Sequence, residues 1–273
     1  MQTVKAPINT SFSGNIPHNY DAYLGPLFFE PFAHLIAEQL AAASPKAVLE
    51  LACGTGRLTR QLDSQLPHAT RIVATDVNPA MLRFAQATLH ERGIEWDTVD
   101  AVELSYADNT FDVVVAQFGV MFYSDRAQAH REALRVLRPG GKLIFTCWNR
   151  IEENPAARIT QEVVKEFFPI DTPAFYTVPF AYHDRAVIRE EVLLAGFRHA
   201  TLNVVTLQGK AVTAADAAQG LLEGSPIHTS IIDRDPTLLP TMREVLAARL
   251  TECFGAKDLR VPLNAWVVEA DKA

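Results

Sequence analysis

The chain has 273 residues, 48% of them apolar, and 25 Lys and Arg against 32 Asp and Glu, for a formal net charge of −7. That is ample apolar content for a packed core, and the acidic balance argues against a general nucleic-acid binder, which carries a basic face. Three cysteines, Cys53, Cys147 and Cys253, lie far apart with no CxxC or Cys/His spacing, so neither a disulfide framework nor a metal site is expected.

The opening "MQTVKAPINTSFSGNIPHNYDAYLG" lacks a charged segment followed by an apolar core, so it does not read as a signal peptide. No apolar run reaches about 18 residues, so no membrane span is expected and a cytoplasmic setting is the default. Residues 1–19 read as a polar arm. Pro26–Ala43 reads as a helix, stopped by Pro45. An alternation of strand and helix follows: "KAVLELA", then "GRLTRQLDSQL", then "RIVATD". "NPAMLRFAQATLHERG" is a predicted helix with Asn78 as N-cap, Pro79 in the first turn and Gly93 at its end. "IEWDTVD" is a short strand. "FDVVVAQFGV" is another, apolar on both faces as a buried parallel strand is. "DRAQAHREALRVL" is a helix, "RPGG" a turn and "KLIFTCW" a strand. This order predicts an α/β fold with a mostly parallel sheet and helices on both faces, its ligand at the carboxyl ends of the strands. Chemistry is therefore expected just after Leu51, Thr75, Val99 and Val115.

Beyond Trp148 the pattern changes. A helix and a stretch dense in Pro, Phe and Tyr come first, then a short helix ended by Gly196 and the strand "HATLNVVTL". Residues 210–259 read as helical, with a breaker at "EGSPIHTS", and "VPLNAWVVEADKA" closes as a strand. Two inserted segments around ordinary sheet elements predict a helical cap over the pocket mouth. The aromatic run from Phe167 to Tyr182 is either the core of that cap or the lining of an apolar pocket.

The ligand is read from "VLELACGTGRLT". Gly54 and Gly56 form GxG, but Thr59 stands where a dinucleotide fingerprint has its third glycine, and no P-loop lysine follows Gly56. Glu50 lies near the end of the first strand. A carboxylate about 4 Å from a phosphate costs about 1 kcal/mol in water and about 4 kcal/mol at an effective dielectric of 20. S-adenosylmethionine (SAM) has no phosphate and carries an ammonium and a sulfonium, so an acidic group suits it. Asp76, after the second strand, can accept from a ribose diol, and Asp100, after the third, from an adenine amino group.

Four stretches, "VLELACGTG", "ATDVNPAML", "VDAVELSYADNTFDVVVAQFGVMFY" and "EALRVLRPGGKLIF", together resemble class I SAM-dependent methyltransferases. They are most similar to the small-molecule branch related to the ubiquinone/menaquinone C-methyltransferases. The resemblance covers about 47–148, and it implies a Rossmann-like seven-stranded sheet. It also implies that Glu50, Ala52, Gly54 and Gly56 hold the methionine part of SAM, and that Asp76 and Val77 lie at the ribose. By the same resemblance Met81 packs on the adenine, Asp100, Ala101 and Val102 read its edge, Gln117 and Phe118 border the methyl, and Tyr20 and Tyr23 close over the cofactor. The product would be S-adenosylhomocysteine (SAH). The implied division is an N-terminal arm and helix (1–45), a SAM-binding core (46–149), a cap insertion (150–183), a core helix and strand (184–208), a second cap insertion (209–260) and a closing strand (261–273).

The expected partner is a small-molecule methyl acceptor; a homodimer is left open. No universal catalytic residue is expected, because the sulfonium is already a good leaving group; His228, His183 and Tyr23 are the candidates if a base is needed. "AQFGVMFY" after the fourth strand differs from the Asn-Pro-Pro-Tyr type motif of DNA-adenine and protein-glutamine N-methyltransferases. Two alternatives stand beside methyl transfer: a SAM-binding cyclase or binding module, and a NAD-type oxidoreductase. Thr59 and Glu50 disfavour the second.

Overall fold

The computed structural model describes Phe12, residues 14–89 and residues 93–273. Most of the predicted arm, and residues 90–92 of the predicted 78–93 helix, lie outside the described residues. The described elements begin with α1 (Ile16–Asn19), ten residues of wider π-helical turns (Tyr20–Phe29) and α2 (Glu30–Ala43). Then come β1 (Ala47–Glu50), α3 (Arg57–Gln65), β2 (Arg71–Thr75), α4 (Pro79–Thr88), β3 (Glu95–Asp97) and β4 (Phe111–Gln117). They are followed by α5 (Arg126–Val136), β5 (Leu137–Trp148), α6 (Pro155–Phe167), α7 (Arg185–Leu194) and β6 (His199–Thr213). The last elements are α8 (Ala214–Glu223), α9 (Ile227–Ile232), α10 (Leu239–Phe254) and β7 (Lys257–Asp271).

The seven strands form one sheet in the order β3-β2-β1-β4-β5-β7-β6. β1 through β5 pair in parallel, and β7 runs antiparallel to both β5 and β6. Side chains alternate across it, as strand geometry requires. Val48, Val113 and Val115 pack against Ile36, Leu40, Leu58 and Leu62 of α2 and α3. Leu49, Val73 and Val114 join the opposite core with Ala129, Ala133 and Val136 of α5. Both faces are covered, which explains why the central strands read as continuous apolar runs.

Helix α4 ends at Thr88, short of the expected Gly93, and β3 is shorter than expected; three further boundaries differ for a local reason. α2 starts at Glu30 rather than Pro26, because the preceding turns are wide: the Glu30 N–H donates to the Gly25 carbonyl, five residues back. The "RPGG" stretch belongs to β5, with the register slipping between Phe111 and Val113 to absorb it. β6 and β7 pair from Thr213 and Lys257 inward, so 209–213 and 257–260 are strand rather than cap. The alternation of buried Leu259, Val261, Leu263 and Ala265 carries the β pattern past the expected end.

Gly209 of β6 sits where the N-terminal segment crosses the sheet. A Cβ there would lie 1.8 Å from the Leu27 carbonyl oxygen. Gly209→Val will lower unfolding free energy by about 3 kcal/mol, as overpacking against backbone does. Denaturant titration checks this, and an unchanged midpoint would show that the crossing has slack.

Candidate functional site

The carboxyl ends of the strands open into a cavity of about 510 Å³. Its floor is the β1–α3 turn (Leu51, Ala52, Gly54), and one wall is the β2–α4 turn from Thr75 to Pro79 with Met81 behind it. Val99, Asp100 and Ala101 line a third side, and 117–119 with 122–124, after β4, a fourth; Phe12 and Tyr20 close it from the N-terminal segment. Ala52 and Phe118 both hold left-handed backbone, at φ 54° and 53°. That conformation costs a side-chain-bearing residue about 1–2 kcal/mol. Strain of this kind gathers at functional sites.

Asp76 is the knot of the site. It is 7% exposed, and its two carboxylate oxygens accept from the Gly54 N–H at 2.8 Å and the Asn78 N–H at 2.7 Å. One side chain therefore fixes both the glycine turn and the start of α4, while Asn78 caps α4 through Ala80 N–H at 2.9 Å. Burial raises the Asp76 carboxyl above the usual range, and the two backbone donors oppose that rise. Asp100 is exposed at the cavity edge and accepts from Val102 N–H at 3.1 Å.

Glu50 is placed differently from expectation. It is 1% exposed and stands behind the glycine turn, outside the main cavity, accepting from the Thr59 hydroxyl at 2.6 Å. Burial pushes its carboxyl up to about 8, the Thr59 bond opposes this, and Asp76 adds to it. Glu50 faces a side space of about 20 Å³, shared with Tyr20, Ala52 and Gln117, which also line the main cavity. That space is large enough for one water. Thr59, which replaces a fingerprint glycine, is thus the group that holds the acid.

The N-terminal segment is clasped to α3 by Arg57. Its Nε donates to Asp21 Oδ1 at 2.9 Å, its Nη1 to Glu30 Oε2 at 3.0 Å and its Nη2 to the Asp21 carbonyl. Thr55 Oγ1 donates to the same Asp21 oxygen at 2.9 Å, and Gln117 Nε2 donates to the Phe29 carbonyl at 2.8 Å. Tyr20 stacks on Phe29 with centroids 4.7 Å apart. Arg57→Met removes a half-buried fork and leaves two carboxylates without it. It will cost about 2 kcal/mol and lower Tm by about 4–8 °C in calorimetry. A Tm equal to wild type would show that the clasp is not structural.

The segment 49–145 matches the family model of a methyltransferase domain. Residues 49–145 are a class I methyltransferase domain. A ubiquinone/menaquinone biosynthesis C-methyltransferase of Idiomarina loihiensis is 41% identical over 102 residues, which is 36% of this chain and 41% of that protein. The chain thus spans about two fifths of the length of that curated relative. Among solved structures, Haemonchus contortus phosphoethanolamine N-methyltransferase 2 with bound SAM superposes with a TM-score of 0.58 at 18% identity. That match covers 94% of this chain and 56% of that one. The cyclase SpnF superposes with a TM-score of 0.51 at 18% identity, over 98% and 88%. At such identities the likeness is one of fold.

The fold brings ten of the thirteen sequence-implied cofactor residues to the cavity wall: Ala52, Gly54, Asp76, Val77, Met81, Asp100, Ala101, Gln117 and Phe118 from the methyltransferase domain, and Tyr20 from the N-terminal segment. Glu50, Gly56 and Val102 are not on it. Gly56 shapes the turn instead: it holds φ +82° ahead of α3, and a Cβ would meet Leu89 Cδ1 at 2.9 Å. The Val102 N–H is taken by Asp100, so it does not face the cavity as a free donor. The three base candidates are not brought there either. Tyr23 lies in a separate surface cleft with Lys210 and Arg260. The His183 Nδ1 is 2.8 Å from the Phe180 carbonyl oxygen, and His228 lies on α9. Phe12, Thr75, Asn78, Phe122, Tyr123 and Ser124 also line the cavity, though none was assigned to the cofactor from the sequence. Only Thr75 and Asn78 carried a signal, as strand-end and cap residues.

Proposed function

We propose that the protein transfers a methyl group from SAM to a small, partly apolar acceptor. One observation carries this reading: among the described residues, the cavity lining includes two carboxylates, Asp76 and Asp100, and no Lys, Arg or His. A phosphate-bearing cofactor would find no counter-charge there, whereas a cationic nucleoside fits. Gly54 and Ala52 take the methionine end, Asp76 the ribose and Asp100 the adenine, with Met81 packed beneath. The Gln117 Oε1 is buried without a partner and is free to accept from an ammonium or from the acceptor.

The acceptor's reacting end fits a second, aromatic cavity of about 60 Å³. It adjoins the first through Phe12, Tyr20, Phe118 and Phe122, and it is closed by Trp148 and by Phe175 and Phe180 of the cap. When bound, SAM supplies an electrophilic methyl on a sulfonium. The chain's part is to align the nucleophile and keep out water. Phe118 and Trp148, stacked 3.9 Å apart, form a rigid wall for that purpose. The Tyr20 phenol is held protonated by burial and by Asp76 and Asp21, so it is no base.

Incubation with methyl-deuterated SAM and an extract of apolar small molecules tests this by mass spectrometry. A labelled product with stoichiometric SAH is the expected result. SAM binding with no SAH formed from any acceptor would sink methyl transfer in favour of a cyclase-like or binding role.

A further inference from the structure

Among the described side-chain polar atoms lining the cofactor cavity, two are buried without a hydrogen-bond partner, Gln117 Oε1 and Tyr123 Oη. Gln117 sits at the methyl side. Tyr123 follows the short 3-10 turn Val120–Phe122, and no role has been given to it. It lines the cavity on the side after β4, and its backbone N–H is spent on the Val120 carbonyl at 3.3 Å. A buried phenol without a partner is unfavourable in the free protein, so its retention calls for a partner in another state.

We infer that Tyr123 donates a hydrogen bond to an acceptor atom of the cofactor's nucleoside. The inference rests on the SAM reading and deepens it. Asp76 and Asp100 can only accept, so they read the donors of adenosine, its ribose hydroxyls and its amino group. The ring nitrogens and the ribose ring oxygen are acceptors and need a donor. No Lys, Arg or His lines the cavity among the described residues, and the side-chain donors of Thr75, Asn78 and Gln117 are spent on the Glu50, Phe12 and Phe29 carbonyls, which leaves hydroxyls, the buried one of Tyr123 among them, for that role. Burial and the two carboxylates raise the Tyr123 hydroxyl well above the usual phenol range, so it stays a donor at any working pH. The result is a three-point reading of the nucleoside, two acceptors and one donor, with the donor supplied by the segment after β4.

Tyr123→Phe separates a ligand role from a structural one. Titration calorimetry is run with SAH and with 5′-methylthioadenosine, which lacks the amino-acid end, beside the melting temperature of the free protein. The expected result is a loss of affinity of about fivefold to tenfold for both ligands, as one neutral hydrogen bond gives. Tm should be unchanged or raised by about 2 °C, since an unpaired buried hydroxyl is removed. Unchanged affinity for SAH, a loss confined to SAH, or a Tm lowered by about 4 °C or more would each overturn the inference. Failure of the wild-type protein to bind either ligand would instead overturn the SAM reading itself, and this inference with it.

Discussion

Glu50→Gln will make the ligand-free protein more stable at pH 8 and a weaker binder of SAM. The Glu50 carboxyl titrates near 8 in the fold against 4.5 for a free glutamate. A carboxyl raised on folding favours the folded state fully below the unfolded value, and that contribution is lost as pH rises through the folded value. The window is therefore about pH 4.5 to 8, and the span corresponds to about 5 kcal/mol at most. Gln stays neutral, fits the same space and can still accept from Thr59. Melting curves from pH 5 to 8 should fall for wild type and stay flatter for the variant, with a Tm gap of at least about 4 °C at pH 8. Binding reverses the sign. A ligand ammonium near the 20 Å³ side space favours the ionised acid, so SAM binding near pH 7 should release a proton from wild type and none from the variant. Calorimetry in buffers of different ionisation enthalpy reads that proton. Affinity should fall about thirtyfold in the variant, roughly 2 kcal/mol. Equal proton release in both proteins would rule out this role for Glu50.

Asp76→Ala should weaken SAM binding by at least tenfold, about 1.4 kcal/mol, and by up to about a hundredfold. Two losses add. The ribose loses its acceptor, and the N–H groups of Gly54 and Asn78, held at 2.8 and 2.7 Å, lose the partner that joins their two turns. Hydrogen bonds to a charged acceptor contribute about 1.5–3 kcal/mol each when buried. Asp76→Asn keeps one acceptor oxygen and should fall between the two. Unchanged affinity in the alanine variant would refute the assignment of Asp76.

The alternation of elements from Ala47 to Trp148 was legible because β1, β2 and β4 are short apolar runs and α4 and α5 carry start signals, Asn78 and Asp125. Asp76 and Asp100 were legible because strand ends in such sheets meet the ligand. Glu50 was legible as an acid beside the turn, but not as a buried one. Its inward direction follows from pairing with Thr59, nine residues on and one helix start away. Phe12 and Tyr123 were given no role from the sequence, since Phe12 and the segment after β4 become cavity walls only through tertiary packing. The cap histidines stood out as chemical types, yet α9 and the 168–184 segment carry them away from the cavity. Residue type without the path of the chain was a poor guide there. The π-helical turns before α2 were hidden for a related reason: helix-forming composition does not distinguish i→i+4 from i→i+5 bonding.

The central claim is that this cavity binds SAM and not a phosphate-bearing dinucleotide. Titration calorimetry of the full chain with SAM, SAH and NAD tests it directly. SAM and SAH should bind one per chain, and NAD should give no heat of binding. Tight NAD binding without SAM binding would contradict the account.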